Sequence, residues 1–378
     1  MNSPLIYMDY AAATPLDERV LAAMEPFWRE QFFNPSATYL PAKEVAQALN
    51  EARGKVAHWL GARPAEVIFT AGGTEANNLA IHGVMRQFPE ANVVVSSIEH
   101  ESVLAPVHKY GCREVAVGPD GMVDLNALQA AIDDKTVLVS VMYANNEVGT
   151  IQPLSEVAQL IKRKRSERAS NLPLYFHTDA AQASNYLDLH VSRLGVDLMT
   201  INGGKIYGPK QSGVLFIGSD VNLHPEILGG GQERSIRSGT ENVAQDVGLA
   251  TALDIAQTMR HEEVARLQQL QQAFIKQLET AIPPVVINGS RKKRLPNNVH
   301  ITLLGHDNER VLIELEQRGI LAAAGSACSA SNEEPSHVLK AIGLTDSEAQ
   351  SSLRFTMGRQ TTEADVEDVI TVLKNIAG

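Results

Sequence analysis

The chain has 378 residues, 44% of them hydrophobic, and a formal net charge of −11 at pH 7. This length and composition predict a globular protein with a large core and two or three domains. The acidic balance argues against direct nucleic-acid binding, because contacts to phosphates supply most of that affinity. The chain has only two cysteines and no Cys-x-x-Cys pair, which favours a reducing compartment over a disulfide framework.

Two further absences from the sequence bear on location. The first residues lack the charged, apolar and small-residue segments of a signal peptide. No apolar run approaches the roughly 20 residues of a membrane span. We therefore expect a cytoplasmic protein without a membrane partner. The basic runs 162–165 and 291–294 are expected to be solvated chain rather than docking patches.

Short apolar runs rich in β-branched residues alternate with helix-length segments in the first two thirds of the chain. These runs begin at Val67, Val93, Val137, Leu174, Leu198 and Gly213. Continuous apolar strands of this kind are typical of sheets that helices bury on both faces. The pattern predicts an α/β fold.

A change of pattern follows. Residues 254–278 carry apolar side chains three and four apart, which predicts one long connecting helix. Beyond it, strand-like and helical segments are mixed. They lie at 285–287, 299–303, 309–318, 352–355 and 364–376. This predicts a smaller α+β domain after the long helix.

Two of the strand runs lead to charged side chains. Asp179 ends one run, and Lys205 follows the next run after two glycines. Because ligands bind at the carboxyl ends of strands in open α/β sheets, both side chains are expected at one crevice. A lysine amine and a carboxylate are what pyridoxal phosphate needs for its Schiff base and its ring nitrogen. Either residue alone would more readily be a solvated loop lysine or a helix cap.

Other strand ends are polar as well. Gly73 and Thr74 follow a strand and open a helix, so amides, a hydroxyl and the helix N-terminus can hold a phosphate there. His100 follows another strand, where it can stack on a flat ring, although a lone histidine is more often structural. Asn146 and Gln182 can bond a phenolic oxygen. The chain has no P-loop and no Gly-x-Gly-x-x-Gly, which argues against nucleotide binding.

This ordered set of motifs resembles the cysteine desulfurases, in the NifS/IscS-like subgroup of class V aminotransferases, a branch of the fold-type I pyridoxal phosphate enzymes. The likeness covers nearly the whole chain. The motifs lie at 7–14, 34–36, 70–78, 99–100, 145–147, 179–182, 205–209, 229–233, 237–242, 325–329 and 354–359.

The resemblance implies a fold and a domain arrangement. The large domain, placed at 14–256, is expected to hold a mainly parallel seven-stranded sheet covered by helices. The smaller α+β domain, at 1–13 and 257–378, is expected to carry a mobile loop at about 322–334. A homodimer is implied as well, and a twofold dimer is the commonest oligomer in any case.

The resemblance also implies pyridoxal 5'-phosphate as the cofactor. Lys205 would form the Schiff base and move the substrate's α-proton, and Asp179 would keep the ring nitrogen protonated. His100 would stack on the ring and take part in catalysis. The remaining cofactor contacts implied are Gly73, Thr74, Asn146, Gln182, Asn202 and, from the partner subunit, Thr240.

Cys328 distinguishes a desulfurase from an ordinary aminotransferase. It lies in the Gly/Ser/Ala run 324–330, which offers little apolar packing and suits a moving nucleophile. The resemblance implies that Cys328 takes the sulfur of L-cysteine as a persulfide, releases L-alanine and passes the sulfur to an acceptor. Arg354 and Asn34 would bind the substrate, Arg354 through a bidentate pair with its carboxylate. Cys112 matches no motif and is expected to be structural.

The acceptor implied is an iron–sulfur scaffold or a carrier for tRNA thiolation. The end of the chain at 378, soon after the last helical segment, leaves this choice open. We expect no resident metal, with Cys328 as a possible transient ligand of an iron–sulfur cluster.

One segment departs from the family pattern. The family usually has Ser-x-His before the Schiff-base lysine, whereas this chain has Asn202-Gly203-Gly204. We expect Asn202 to donate through its amide, Gly204 to expose a backbone amide, and the cofactor to be held more weakly.

Two alternatives remain open. A class V aminotransferase acting on a small amino acid would use the same lysine, aspartate and arginine but would not need Cys328. A non-catalytic scaffold homologue is suggested by the altered segment 202–204. Joint retention of Lys205, Asp179, Cys328 and Arg354 argues against the scaffold.

Overall fold

A computed structural model describes residues 5–325 and 335–377. Within these ranges no helix is long and apolar enough to cross a membrane. The strands, in chain order, are β1 (Ile6–Tyr7), β2 (Val67–Thr70), β3 (Asn92–Ser96), β4 (Gly111–Val115), β5 (Thr136–Ser140), β6 (Tyr175–Asp179), β7 (Leu198–Asn202), β8 (Gly213–Ile217), β9 (Val285–Ile287), β10 (Asn298–Leu303), β11 (Ile320–Leu321) and β12 (Ser352–Thr356).

The helices alternate with these strands. They are α1 (Glu18–Met24), α2 (Pro26–Arg29), α3 (Leu40–Leu60), α4 (Gly73–Met85), α5 (Glu101–Val107), α6 (Leu125–Ala131), α7 (Leu154–Glu167), α8 (Val191–Leu194), α9 (Val243–Ala281), α10 (Asn308–Glu316), α11 (His337–Ala341), α12 (Asp346–Ala349) and α13 (Glu363–Ala377).

The central sheet has seven strands in the order β2-β8-β7-β6-β5-β3-β4. Six of them run in one direction, and β8 runs antiparallel to both of its neighbours. The predicted α/β fold with a mainly parallel seven-stranded sheet is therefore confirmed. The carboxyl ends of β3, β5, β6 and β7 all lie at one edge of the sheet.

Both faces of this sheet are buried. Successive residues of a strand point to opposite faces, and Val94 joins one hydrophobic cluster while Val93 and Val95 join another. Helices cover each face, α3 and α7 on one and α4 and α5 on the other. Burial on both faces explains why these strands are continuously apolar in the sequence.

A second hydrophobic core lies around an antiparallel sheet of order β12-β10-β9. It includes Met8 near the chain start, and β1 pairs in parallel with β11. The long helix α9 contributes Leu249 and Leu253 to the first core, and Leu267 and Phe274 to the second. The domain limits at 14–256 and 257–378 remain a prediction, which this division of contacts favours.

Some elements differ from the sequence prediction. Helix α9 begins at Val243, eleven residues before the predicted start, because its first turns are Ala-rich and buried rather than amphipathic. The edge strand β4 was missed because most of its residues face solvent. Arg294 was expected to be solvated, but it is buried and donates to Ser290 O at 2.9 Å. It therefore stabilises the chain locally, and it is not part of a basic surface.

Candidate active site

A cleft of about 610 Å³ opens where the carboxyl ends of β3, β5, β6 and β7 meet. Its walls are lined by Ala11, Ala12, Gly73, Thr74, Asn77, His100, Ser102, Met142, Ala144, Asn146, Asp179, Ala181, Gln182, Asn202, Lys205 and Arg354.

Asp179 is the last residue of β6 and is 7% exposed. Its Oδ2 accepts from Asn77 Nδ2 at 2.7 Å, and its Oδ1 accepts from the Ala181 amide at 2.9 Å. These neutral donors orient the carboxylate without neutralising its charge. A buried carboxylate held in this way can pair with a protonated ring nitrogen.

Lys205 lies in the single 3-10 turn Gly203–Lys205 that follows β7. Its Nζ donates to Ala11 O at 2.8 Å and to Ala12 O at 2.6 Å. Both carbonyls belong to the chain start, on the other side of the cleft. Asn185 Nδ2 donates to the carbonyl of Lys205 at 2.7 Å and fixes the turn. The amine is therefore held at the cleft by backbone carbonyls.

The turn before α4 provides an anion cradle. Gly72 has a φ of +132°, which favours glycine, and α4 begins at Gly73 with its first amides free of intrahelical bonds. A Cβ on Gly213 would lie 2.6 Å from the Gly72 carbonyl carbon, so glycine is required where β8 passes the turn. The N-terminus of a 13-residue helix favours phosphate here.

Asn202 lies against this cradle. A Cβ on Gly73 would lie 3.3 Å from the Asn202 amide nitrogen, and Asn202 Oδ1 accepts from the Gly204 amide at 3.1 Å. The expectation that Gly204 exposes its amide is wrong, because the side chain two residues earlier caps it. The same bond turns the Asn202 NH₂ group away from Gly204.

His100 caps the N-terminus of α5, where its Nδ1 accepts from the Ser102 amide at 3.0 Å. The preceding residue, Glu99, is fully buried, and its Oε1 accepts from the Met142 amide at 2.6 Å. Burial, with a smaller effect of Asp179, raises the pKa of Glu99 to about 8. Burial thus favours the protonated, neutral form of Glu99 behind the cleft wall.

Arg354 lies on β12 with only 1% of its surface exposed. Its guanidinium donates to Asp9 Oδ1 at 2.7 Å and to Asn146 O at 3.0 Å, while its Nε is buried without a partner. Gln182 Nε2 donates to Ala11 O at 3.0 Å. Arg354 reaches the cleft as expected, but it already has an acidic partner.

Two predicted residues lie elsewhere. Asn34 and Thr240 line a separate depression together with the aromatic side chains of Trp28 and Phe32. Neither residue lines the cleft within the same subunit. The cleft therefore lacks these two groups unless a second copy of the chain supplies them.

Cys328 lies outside the described residues. The chain on either side of it is attached beside the cleft. Ala323 and Arg354 exchange backbone hydrogen bonds at 3.2 and 2.6 Å, and His337 Nε2 lies 3.0 Å from the carbonyl of Glu99. Both flanks of the Cys328 segment thus contact residues next to the predicted site.

Sequence reasoning missed three supporting residues. Asn77 and Ser102 line the cleft, and Asp9 pairs with Arg354. The position of Asn77 carried a signal, since it lies four residues after Gly73 on the same face of α4. The pairing of Asp9 with Arg354 carried none, because 345 residues separate them.

The donor set fits pyridoxal phosphate. One cleft contains a lysine amine, a buried carboxylate, an imidazole and a glycine-lined helix N-terminus. In contrast, no group of three or more His, Cys, Asp or Glu residues among the described positions has the arrangement of a metal site.

Cys112 is half-buried at the sheet edge. Burial, assisted by Glu114, raises the pKa of its thiol to about 11. Because only the thiolate is a good nucleophile, Cys112 is unreactive at neutral pH.

Comparison with known proteins agrees with this geometry. Residues 6–369 match the model of the class-V aminotransferase family. The chain is 41% identical to "Cysteine desulfurase IscS" of Dictyoglomus turgidum, over 98% of this chain and 94% of that protein.

Solved structures are similar as well. A "NifS-like protein" superposes with a TM-score of 0.91 at 31% identity, covering 98% of this chain and 99% of that one. "SspA in complex with cysteine" superposes with a TM-score of 0.80 at 32% identity, covering 93% and 98%.

Proposed function

The chain belongs to the class V aminotransferase family, among its cysteine desulfurases, and we propose that it transfers the sulfur of L-cysteine to Cys328 and releases L-alanine. The observation that carries this proposal is the meeting of Lys205, Asp179 and Arg354 in one cleft beside an anion cradle. A relative whose structure contains cysteine supports the choice of substrate.

The family works with pyridoxal phosphate, and the cleft residues would hold it at four points. Amides of Gly73 and Thr74, with the Asn202 NH₂ group, would bind the phosphate. Asp179 would pair with the ring nitrogen, and His100 would lie against the ring. Asn146 and Gln182 would contact the phenolic oxygen. When bound, the cofactor supplies an electron sink for the charge left by α-proton removal.

Lys205 would act first as the anchoring amine and then as the base at the substrate's α-carbon. To do so, Nζ must leave the carbonyls of Ala11 and Ala12, which now accept its hydrogens. Those carbonyls lie within reach, so they can again accept hydrogen bonds from the ammonium group once Lys205 has taken up the proton. Arg354 would fix the substrate carboxylate and so direct the α-hydrogen toward Lys205.

The Cys328 thiolate would attack the substrate's sulfur. A sulfur–sulfur bond forms, and the carbon–sulfur bond of the substrate breaks. The electron pair of that bond takes up a proton at carbon as alanine forms. Cysteine plus the enzyme thiol thus gives alanine plus the enzyme persulfide, with no external oxidant.

A homodimer would complete the site. Asn34 and Thr240 would reach the partner's cleft from the depression that they share with Trp28 and Phe32. Those aromatic side chains are 55% and 68% exposed. Exposed apolar groups of this size mark interaction faces, and a twofold axis would bury both copies of the face.

The persulfide would pass to a protein acceptor, an iron–sulfur scaffold or a thiolation carrier. Curated relatives that carry the name IscS support the first of these. A cytoplasmic setting, which keeps thiols reduced, suits a catalytic cysteine.

The test is a product assay. Purified holoenzyme incubated with L-cysteine and a reductant should form alanine and sulfide in equal amounts without any keto acid. Mass spectrometry after a single turnover without reductant should find one added sulfur, on Cys328. Alanine formation that depends on a keto acid would instead identify an aminotransferase.

A further inference from the structure

Asn77 links two groups of the cleft. It is fully buried on α4, and its Nδ2 donates to Asp179 Oδ2 at 2.7 Å and to Ser102 Oγ at 2.8 Å. Its Oδ1 is buried without a partner. Because a carboxylate only accepts, the NH₂ group must face Asp179, and the opposite amide orientation is excluded.

The side-chain carbonyl of Asn77 has no hydrogen-bond partner among the described residues. A buried carbonyl oxygen without a hydrogen bond destabilises a fold, and such groups are rare in native proteins. A residue chosen only for stability would avoid this cost. The amide at position 77 is therefore explained by its two donor bonds, which join Asp179 to Ser102.

Ser102 extends the connection to His100. Its backbone amide lies 3.0 Å from His100 Nδ1, and its hydroxyl lies 2.8 Å from the same nitrogen. A backbone N–H can only donate, so Nδ1 must carry a lone pair. The neutral imidazole then has its proton on Nε2. Because the hydroxyl accepts from Asn77, its own hydrogen points to Nδ1.

We propose that Asn77 and Ser102 are positioning residues, which hold His100 as its Nε2–H tautomer and tie that state to the orientation of Asp179. This inference rests on the proposed function only in treating the cleft as the cofactor site. Asp179 and His100 would then approach the bound ring in a fixed relation. Nε2, on the side of the imidazole away from Ser102, would offer one hydrogen to the cleft.

The connection predicts an asymmetry between variants. Asn77 bonds Asp179 directly and reaches His100 through Ser102, whereas Ser102 bonds His100 directly and is joined to Asp179 through Asn77. Asn77→Ala should therefore alter the orientation of both Asp179 and His100, and Ser102→Ala should alter mainly that of His100. Asn78→Ala is the matched control, because Asn78 is on the same helix and its amide donates to the backbone carbonyls of Thr74 and Ser102, at 2.9 and 3.4 Å, rather than to the Ser102 hydroxyl.

The experiment uses holoenzyme labelled with ¹⁵N at histidine, with the His100 signals assigned from a His100→Gln variant. The wild type should show two widely separated ring resonances, one from a protonated and one from an unprotonated nitrogen. Ser102→Ala keeps the backbone amide but removes the hydroxyl beside Nδ1, so it should move them part of the way toward each other. The cofactor's absorbance maximum should stay in place, and Ser102→Thr should restore the resonances. Asn77→Ala should shift the absorbance maximum as well.

Averaged His100 resonances in the wild type would overturn the proposal. Unchanged resonances in Ser102→Ala would also overturn it, because the backbone amide alone would then hold the tautomer. This variant removes one oxygen and is informative even if Asn77→Ala does not fold. An equal response of Asn78→Ala would also contradict it. Alanine formation from cysteine by the same samples tests the proposed function separately, because it does not depend on the tautomer.

Discussion

The two walls of the cleft hold their charges differently. In the sheet wall, formed by the strand ends that carry Asp179 and Lys205, neutral amides and carbonyls hold both charged groups. In the small-sheet wall, formed by β12 and the chain start, Arg354 pairs with the acid Asp9. The neutral donors around Asp179 therefore leave its charge available to a cofactor, whereas Arg354 must share its charge between Asp9 and a substrate carboxylate.

This difference suggests that the two walls have different functions in the reaction. Strand ends in a sheet buried on both faces are rigid and suit a resident cofactor. The small-sheet wall also carries the N-terminal flank of the Cys328 segment, at Ala323, whereas the C-terminal flank contacts the large-sheet side at Glu99. We infer that the sheet wall determines the chemistry at the α-carbon, and that the small-sheet wall determines substrate binding and sulfur transfer. Variants in the two walls should separate these properties.

The largest effect is expected from Cys328→Ala. Without the thiolate, sulfur transfer should fall by about 10³-fold or more, since nucleophilic groups that act as a unit give losses of this size. The cofactor's absorbance should be unchanged, because the sheet wall is intact. Cys112→Ala is the matched control and should retain activity. Equal losses in both variants would contradict a specific role for Cys328.

Arg354→Gln should have the next largest effect. Loss of a charge-assisted bidentate pair is expected to raise KM for cysteine by about 100-fold. The cofactor's affinity should be nearly unchanged, and steady-state kinetics with cofactor titration would measure both. Asp9→Asn keeps the guanidinium and should alter KM less. An unchanged KM in Arg354→Gln would rule out the proposed carboxylate contact.

Gly204→His tests the altered segment of the sheet wall. A Cβ at Gly204 has no neighbour closer than 3.5 Å, so the first carbon of a side chain fits there without a clash. A new donor to the phosphate should lower the dissociation constant of pyridoxal phosphate by about tenfold. Asn202→Ala should raise that constant. The two changes can be measured by fluorescence titration, and equal affinities in wild type and Gly204→His would contradict weak retention.

Two buried groups, Glu99 behind the sheet wall and His300 on β10 opposite Arg354, should make the unfolding free energy depend on pH in opposite directions. Burial raises the pKa of Glu99 from 4.5 to about 8, so the native state keeps a proton that the unfolded state loses. Unfolding free energy should then fall as pH rises from 4.5 toward 8. Burial, with Arg294 and Arg354, lowers the pKa of His300 from 6.5 to about 3. The unfolding free energy should therefore fall as pH falls from 6.5 toward 3, because the unfolded state takes up a proton on His300 that the native state does not.

Denaturation of Glu99→Gln and His300→Gln would measure this contrast. On going from pH 5 to pH 9, the unfolding free energy of Glu99→Gln should rise relative to that of the wild type by about 1 kcal/mol or more. His300→Gln should gain a similar amount on going from pH 7 to pH 5, because it removes a group whose protonation favours unfolding. Parallel curves for wild type and both variants would show that neither group titrates on unfolding.

Much of the sheet wall was predictable from the sequence. The strands β2 and β8 begin at Val67 and Gly213, where they were predicted to begin, because continuous apolar runs mark strands buried on both faces. Asp179 and Lys205 were then brought together by a topological rule about strand ends. The family, fold class, function and cofactor inferred from the motifs were confirmed. The roles of individual site residues remain proposals.

Other features escaped prediction because local patterns do not determine them. The edge strand β4 lacks an apolar run, and α9 begins in a buried Ala-rich stretch without polar periodicity. The cap on Gly204 by Asn202 depends on a side-chain rotamer. The separation of Asn34 from the cleft depends on how distant segments pack, whereas Thr240 was expected to come from the partner subunit.

The sequence by itself determined which chemical groups this protein can use, and where strands end in polar residues. It did so because strand burial and helix capping are written in short periodic patterns. Only the tertiary structure decided which groups are partners. The pairing of Asp9 with Arg354 and the link from Asp179 through Asn77 and Ser102 to His100 join residues distant in sequence. Such hydrogen bonds require donor–acceptor distances that are correct to within a few tenths of an ångström, and only tertiary packing sets those distances.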